Sequence, residues 1–258
     1  MHISQIPCRV IHLAAGDPLE WVWRNGLGGM TFRADHVDIN GIPTSRFIKW
    51  QSLDDVTSSD LADVDLLTEA EKLRWASRYF NVPKVLDAGQ NQHESWLVTQ
   101  AIPSVSAVAP QWKSNTGIFN PESVVKAMAV GLRKLHDACP ASECPFQDSW
   151  YDTARVPTPS QEDLVVCHGD PCVPNTLLNT QGEFVSLVDL ARLGVADRWS
   201  DLAIATYSIS WTINFGKHYD ALFFDTYGIK PNRTKIDRYR ALWDAPGDDA
   251  PPALSPLW

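Results

Sequence analysis

The apolar residues of this chain recur in two rhythms, and the change falls near residues 99–103. Before that point the runs are short and punctuated by glycine and asparagine, which predicts strands and turns. Residues 19–24, rich in Trp and Val, form a first strand, and residues 31–38 a second. Between them, Asn25-Gly26-Leu27-Gly28-Gly29 makes a sharp turn, because three glycines in five residues admit backbone angles that other residues resist. Asn40-Gly41 is a hairpin turn signal, and residues 45–50 are a third strand. Leu66, Leu67, Ala70, Leu73 and Ala76 then repeat at helical spacing, which predicts a helix over 66–80, stopped by Asn81-Val82-Pro83. Residues 85–88 and 95–99 read as two more strands, joined by a polar loop.

Ile102-Pro103-Ser104 breaks this pattern, and longer helical periods follow. Residues 121–138 form a helix with Pro121 in its first turn, where the missing N–H costs nothing. Residues 140–162 are proline-rich and irregular. Residues 164–167 are a short apolar strand, and 176–179 with 184–188 form a hairpin around Gln181-Gly182. Helices are expected over 199–213, 219–227 and 233–243. The fold class is therefore α+β, with a β-rich lobe of residues 1–101 and a mainly α-helical lobe of residues 102–258.

Composition narrows the classes of function. Hydrophobic residues make up 44% of the 258-residue chain, enough to bury a full core. The net charge of −9 argues against nucleic acid as partner, since binding it needs clustered Lys and Arg. An acidic field favours a cationic small molecule through steering, although acidity also serves solubility alone. No window approaches the length of a membrane span, and the N-terminus lacks a basic stretch followed by a long apolar run. A cytoplasmic protein is expected, as a monomer or weak dimer. Five cysteines at irregular spacing do not make a disulfide framework. Cys167, His168 and Cys172 lie close in sequence, yet buried thiols are the preferred reading over a metal site.

Chemistry concentrates in Val166-Cys167-His168-Gly169-Asp170-Pro171-Cys172-Val173-Pro174-Asn175. Two prolines stiffen a loop that presents Asp170 and, five residues on, Asn175. Asp189 follows Asn175 by fourteen residues, and the intervening hairpin brings the two close. Phosphoryl transfer needs such a set: one carboxylate to orient a hydroxyl and accept its proton, and a carboxylate with an amide oxygen to hold magnesium. Asp170 fits the first role, and Asn175 and Asp189 the second.

The pattern His168-Gly169-Asp170 with Asn175, then Asp189-Leu190-Ala191-Arg192, resembles the catalytic loop of protein kinases as modified in the aminoglycoside phosphotransferases, particularly those acting on a 3′-hydroxyl. The segment 192–199 with Asp201 is similar to the same family, as are Leu135-His136, Cys144-Pro145-Phe146 and Tyr227-Gly228-Ile229. The resemblance implies a two-lobed protein-kinase-like fold, with ATP and Mg2+ as cofactors. It implies that the turn containing Asn25, Gly26, Gly28 and Gly29 covers the ATP phosphates, and that Lys49 pairs those phosphates and is itself paired by Glu69. Glu71 is the rival for that role. Gln100 and Ala101 fall at the hinge that contacts adenine. His168 is expected to brace the loop and not to act as a base, and Asp201 to hold the same loop through backbone N–H bonds. Asp197, Arg198 and Asp244 are candidates for the substrate side, with a structural ion pair as the alternative for the first two.

Three features depart from the family and concern the substrate. Ala191 stands where glycine is usual. The stretch 146–162 is short and carries only Asp148, Asp152 and Glu162 as acids. Residues 208–212 are neutral where acids are expected, and the tail adds only Asp248 and Asp249 beyond Asp244. Polycations need several converging carboxylates. The expected function is therefore an ATP-dependent phosphotransferase acting on a small hydroxyl compound, by family default an aminoglycoside. A kinase of another sugar or amino sugar is the alternative, and a nucleotide-binding pseudokinase is the alternative of another class.

Overall fold

A computed structural model of the chain describes residues 6–38, 41, 44–54, 56–57, 64–114, 116–147, 149–151 and 162–245. Contacts divide the described residues into two units, one built from residues up to Arg74 with Pro83–Ile102, the other from Trp75–Val82 and residues 103–245. Asn40, Asp148, Asp152, Asp248 and Asp249 lie outside the described residues.

The first unit is a five-stranded antiparallel sheet: β1 (Leu19–Arg24), β2 (Met30–Ala34), β3 (Arg46–Ser52), β4 (Val85–Gln90) and β5 (Glu94–Gln100) in the order β1-β2-β3-β5-β4. Side chains alternate faces along a strand, so Ile48 and Lys49 point opposite ways. Ile48 joins Phe32, Ala34 and Val98 in a core with Val10 and Ala14 of a first helix, α1 (Cys8–Ala14). That helix has no counterpart in the sequence reading. At seven residues it is too short to show a period, and it is held from outside. Arg46 Nη2 donates to the carbonyls of Leu13 and Ala14, and Nη1 donates to Asp17, so a strand guanidinium closes the helix C-terminus. Hydrogen bonds from His36 and Arg46 hold the Asp17 carboxyl below its usual pKa.

The second helix, α2 (Leu66–Ala76), ends four residues short of its expected limit. Asp65 opens it by accepting the Thr68 N–H at 2.9 Å, a helix N-cap. Beyond Ala76 the chain tightens into turns, with the N–H groups of Tyr79 and Phe80 both returning to the Ala76 carbonyl.

The second unit rests on α3 (Pro121–Ala138), capped by Asn120, whose side chain accepts the Ser123 N–H. Around it lie α4 (Arg198–Ser210), α5 (Asp220–Tyr227), α6 (Arg233–Trp243) and two small sheets. In one, β7 (Leu164–Cys167) pairs with β10 (Gly194–Asp197). The other has the order β6-β8-β9, from β6 (Val105–Ser106), β8 (Thr176–Leu178) and β9 (Phe184–Leu187). Strand β10 has no counterpart among the expected strands; at four residues it is too short to show an alternating pattern. Helix α4 stops at Ser210, short of residue 213, because Asn214 Nδ2 donates to the Ser208 carbonyl and ends the ladder. Among the described residues no helix is long and apolar enough to cross a membrane.

Gly131 shows how tightly α3 is packed. A Cβ there meets the ring of Phe184 on β9. Alanine normally favours a helix over glycine by about 1 kcal/mol. Gly131→Ala is nevertheless expected to lower stability by about 1–3 kcal/mol through overpacking, and urea unfolding of the two proteins measures the sign.

Candidate active site

In the second unit, β7 ends at Cys167 and delivers His168-Gly169-Asp170 into a loop tied from several sides. Asp201, on the first turn of α4 and fully buried, accepts the backbone N–H of His168 at 2.6 Å and of Gly169 at 3.0 Å. Gly169 has φ +86°, and a Cβ there would collide with the carbonyl of Arg192, so only glycine fits. His168 Nε2 donates to the Val188 carbonyl at 3.0 Å, and His168 Nδ1 accepts the Asp170 N–H at 3.2 Å. Its ring is thus spent on backbone at both nitrogens. Beyond Asp170, the Val173 N–H donates to Ser208 Oγ at 3.1 Å, and Asn214 Nδ2 supports that hydroxyl. Ser208 and Ile209, which sequence reasoning set on the substrate side, are buried.

The loop leaves one polar atom unanswered. Asp170 Oδ1 is buried with no N–H or O–H donor among the described residues, although the Cys172 thiol hydrogen-bonds the Asp170 carboxyl. A carboxylate oxygen without a donor is costly, and such an atom in a fixed loop marks a place for a ligand group. The buried Cys172 thiol lies beside it, and burial together with the Asp170 charge pushes that thiol well above its ordinary pKa, so it stays protonated.

Asn175 follows on a single 3-10 turn. Its Nδ2 donates to the Asp170 carbonyl at 2.8 Å, which commits the nitrogen and leaves the amide oxygen as the end that could take a cation. The β8–β9 hairpin returns the chain to it: Thr176 pairs with Leu187, and the Val188 N–H donates to the Asn175 carbonyl. Asp189 comes next and adopts φ +64°, a left-handed conformation unusual for a residue with a side chain. One amide oxygen and one carboxylate are hard oxygen donors of the kind Mg2+ takes.

The remaining acidic candidates separate. Asp197 is fully buried and caps α4. Its Oδ2 accepts from Lys235 at 2.7 Å and from Tyr239 at 3.2 Å, and its Oδ1 from the Trp199 N–H. That carboxylate is a structural ion pair and has no free face for a substrate. Arg198 is likewise engaged, with Asp163 and the Tyr227 hydroxyl. Asp244 is exposed at the end of α6 and accepts from Tyr207 at 2.8 Å, which raises the Tyr207 pKa.

In the first unit, Lys49 on β3 places Nζ 2.7 and 2.9 Å from the two oxygens of Glu69 on α2. Glu69 is buried, whereas Glu71 is exposed. The turn after β1 closes on Asn25. Its Oδ1 accepts the N–H groups of Leu27 at 3.0 Å and Gly29 at 2.6 Å, and its carbonyl accepts that of Gly28. Buried Gln51 receives Asn25 Nδ2 and donates to the Leu27 carbonyl. Gly26 precedes these bonds, and Gly29 must be glycine because a Cβ would overlap the Asn25 and Gln51 carboxamides. The sequence marked the glycines but missed Gln51, which gave no signal on a strand that also carries Arg46, Lys49 and Ser52. At the end of β5 the Gln100 and Ala101 N–H groups donate to Lys84 and Ser45 within the sheet, so neither amide donor is left for a base.

These arrangements define a class: a carboxylate on a braced loop followed by an amide–carboxylate pair is the equipment a phosphotransferase needs. Residues 145–242 match the phosphotransferase enzyme family. The chain is 32% identical to the aminoglycoside 3′-phosphotransferase of Streptomyces fradiae over 220 residues, 69% of this chain and 78% of that one. It is 31% identical to the streptomycin 3″-kinase of Streptomyces griseus over 230 residues, 72% and 81% of the two. Among solved structures, the aminoglycoside phosphotransferase APH(3″)-Id of Streptomyces rimosus superposes with TM-score 0.64 at 21% identity, covering 91% of this chain and 97% of that one. An ethanolamine kinase of Plasmodium vivax shares the fold at TM-score 0.52, covering 86% and 70%. The chain belongs to the aminoglycoside phosphotransferase family, with its protein-kinase-like α+β fold. It is an enzyme, a phosphotransferase with an alcohol group as acceptor.

Two outcomes follow from the loop geometries. Asn25→Ala frees the Leu27 and Gly29 amides, and their hydrogen exchange is expected to quicken by about tenfold for the loss of one hydrogen bond each. Gly169→Ala must shift either the Arg192 backbone or the loop. It is expected to lower turnover by about 100-fold, read in a steady-state assay on protein whose cooperative melting shows it folded.

Proposed function

We propose that this enzyme transfers the γ-phosphate of ATP to a hydroxyl of an aminoglycoside, at a 3′-type position, with Asp170 as the base. The observation that carries the reading is Asp170 Oδ1, a buried acceptor with no N–H or O–H donor among the described residues, on a loop whose His168, Gly169 and Asp170 amides are all paired. A substrate hydroxyl donating to it gains the missing bond and is oriented for in-line attack. As the new O–P bond forms and the β–γ bridge breaks, the hydroxyl proton passes to the carboxylate, and ADP leaves with the bridging oxygen.

Asn175 and Asp189 fit Mg2+ by donor type, and the metal would supply charge neutralisation at the phosphates. Lys49, held by Glu69, serves the phosphates, and the turn at Asn25, Gly26, Gly28 and Gly29 covers them. Adenine lies at Gln100–Ala101, where carbonyl acceptors have to carry recognition. A solved structure of the Streptomyces rimosus enzyme, in complex with ADP and streptomycin, supports the same pairing of nucleotide and aminoglycoside. The 3′-type reading follows the Streptomyces fradiae relative. Asp244 is the acid proposed to face the substrate.

A second reading, a kinase of a neutral sugar, draws on one observation: Asp197 is consumed by Lys235 and Tyr239 and offers nothing to an ammonium group. An ATP-consumption assay over aminoglycosides with and without a 3′-hydroxyl and over neutral sugars separates the two. Turnover confined to the first set is expected, and turnover confined to neutral sugars overturns the aminoglycoside assignment.

Asp170→Ala is expected to lower turnover by about 10²–10⁴-fold, the usual contribution of a general base, with Mg-ATP affinity unchanged. Asp189→Ala is expected instead to weaken Mg-ATP binding, seen by calorimetry with and without chelator. Equal turnover in wild type and Asp170→Ala would remove Asp170 from the mechanism.

A further inference from the structure

His136, Tyr227 and Arg198 recur among the family-like segments yet have no part in the chemistry above. In the second unit they form one hydrogen-bonded chain, buried at His136 and Tyr227 and half-buried at Arg198. Arg198 Nη1 lies 3.1 Å from the Tyr227 hydroxyl, which lies 2.7 Å from His136 Nδ1. His136 Nε2 lies 3.0 Å from Asp201 Oδ2, in a contact fully removed from solvent. Asp201 is the residue that accepts the His168 and Gly169 N–H groups.

The direction of every bond follows from what each group can do. A guanidinium only donates, so the phenol oxygen accepts from Arg198. An ionised carboxylate only accepts, so His136 Nε2 bears a proton. In a singly protonated imidazole Nδ1 is then the acceptor and takes the Tyr227 O–H. Burial pushes the Tyr227 phenol up to about 12 against the opposing pull of Arg198, which keeps that proton in place. All donors point toward Asp201 and the loop that carries Asp170.

We propose that His136 and Tyr227 are positioning residues for phosphoryl transfer: together they fix the His136 tautomer that holds the Asp201 carboxylate square to the backbone preceding Asp170. The inference rests on the reading of Asp170 as the base. The opposite tautomer turns a lone pair of His136 against the carboxylate. Asp201 then rotates away, and the two N–H groups it holds move with it. Misplacement of a base by about 1 Å costs on the order of 100-fold in rate. His136 ends α3, Tyr227 ends α5 and Asp201 begins α4, so the chain also locks three helix ends to one loop.

The test compares His136→Leu, His136→Gln and Tyr227→Phe in the full chain, with Gly131→Ala as a destabilised control outside the chain. Gln keeps a donor where His136 Nε2 stands, and Leu does not. His136→Leu is expected to lower kcat by about 100-fold with the Mg-ATP Kd unchanged. His136→Gln is expected to recover about tenfold of that loss, the worth of one restored hydrogen bond. Tyr227→Phe is expected to fall between wild type and His136→Leu. Hydrogen exchange at the His168 and Gly169 amides is expected to rise in the same order.

Wild-type kcat in His136→Leu overturns the proposal. So does a kcat loss in which Leu and Gln are equal and both track the melting temperature, as Gly131→Ala would. If His136→Leu does not fold, Gln and Tyr227→Phe decide, since unchanged kcat and unchanged amide exchange in both overturn it. Asp170→Ala run alongside separates the two levels. Full turnover there defeats the base assignment, whereas its loss beside an active His136→Leu defeats the positioning role alone.

Discussion

The Asp201 carboxylate accepts two successive backbone N–H groups, from His168 and Gly169, and the arrangement around Asp170 depends on that pair of bonds. Successive amides can converge on one acceptor only if the backbone turns sharply, and Gly169 supplies the turn with its positive φ. With both amides committed, the peptide planes are fixed and the Asp170 side chain has one direction to take. Burying a carboxylate is expensive unless donors surround it. Asp201 meets that cost with two amides and an imidazole, each bond charge-assisted and worth about 1.5–3 kcal/mol. Nothing in the loop can compete for Asp201 at that strength, so the loop does not exchange partners.

That rigidity continues along the chain. His168 ties the loop to Val188, Asn175 ties its side chain to Asp170 and its carbonyl to Val188, and Asp189 follows directly. Asp170, Asn175 and Asp189 therefore share one framework of short backbone links. The left-handed Asp189 is the strained member of that framework. In the first unit the equivalent economy is the Lys49–Glu69 pair, a two-point contact on a buried carboxylate that sets the lysine's reach.

What the sequence made legible followed from spacing. The helix over 121–138 and the strand over 164–167 needed only periodicity, and the set Asp170, Asn175 and Asp189 needed only short loops with prolines. What it hid depends on residues far apart in the chain. Helix α1 exists because Arg46, thirty-two residues beyond Ala14, closes its end. The choice between a substrate acid and a structural ion pair stayed open for Asp197, because its partners, Lys235 and Tyr239, lie about forty residues downstream. The early end of α4 was set by Asn214, a side chain reaching back six residues. Local pattern predicts elements, whereas the fate of a polar side chain is decided by whichever partner the fold brings to it.

The turn after β1 uses the same device as the Asp201 loop and ends with the opposite property. Asn25 Oδ1 takes two backbone amides, as Asp201 does, but it is a neutral carboxamide in a part-buried turn. Neutral hydrogen bonds there are worth about 1 kcal/mol each, and water can replace them. A phosphate group offers several charged oxygens, and its bonds to the same amides are roughly twice as strong. Phosphate proposed to bind at this turn would outcompete Asn25 for Leu27 and Gly29, whereas the charged Asp201 carboxylate holds His168 and Gly169 with bonds of the same charge-assisted kind as phosphate itself would make. The difference of one charge would separate a turn that yields to a ligand from a loop that holds its shape beside Asp170.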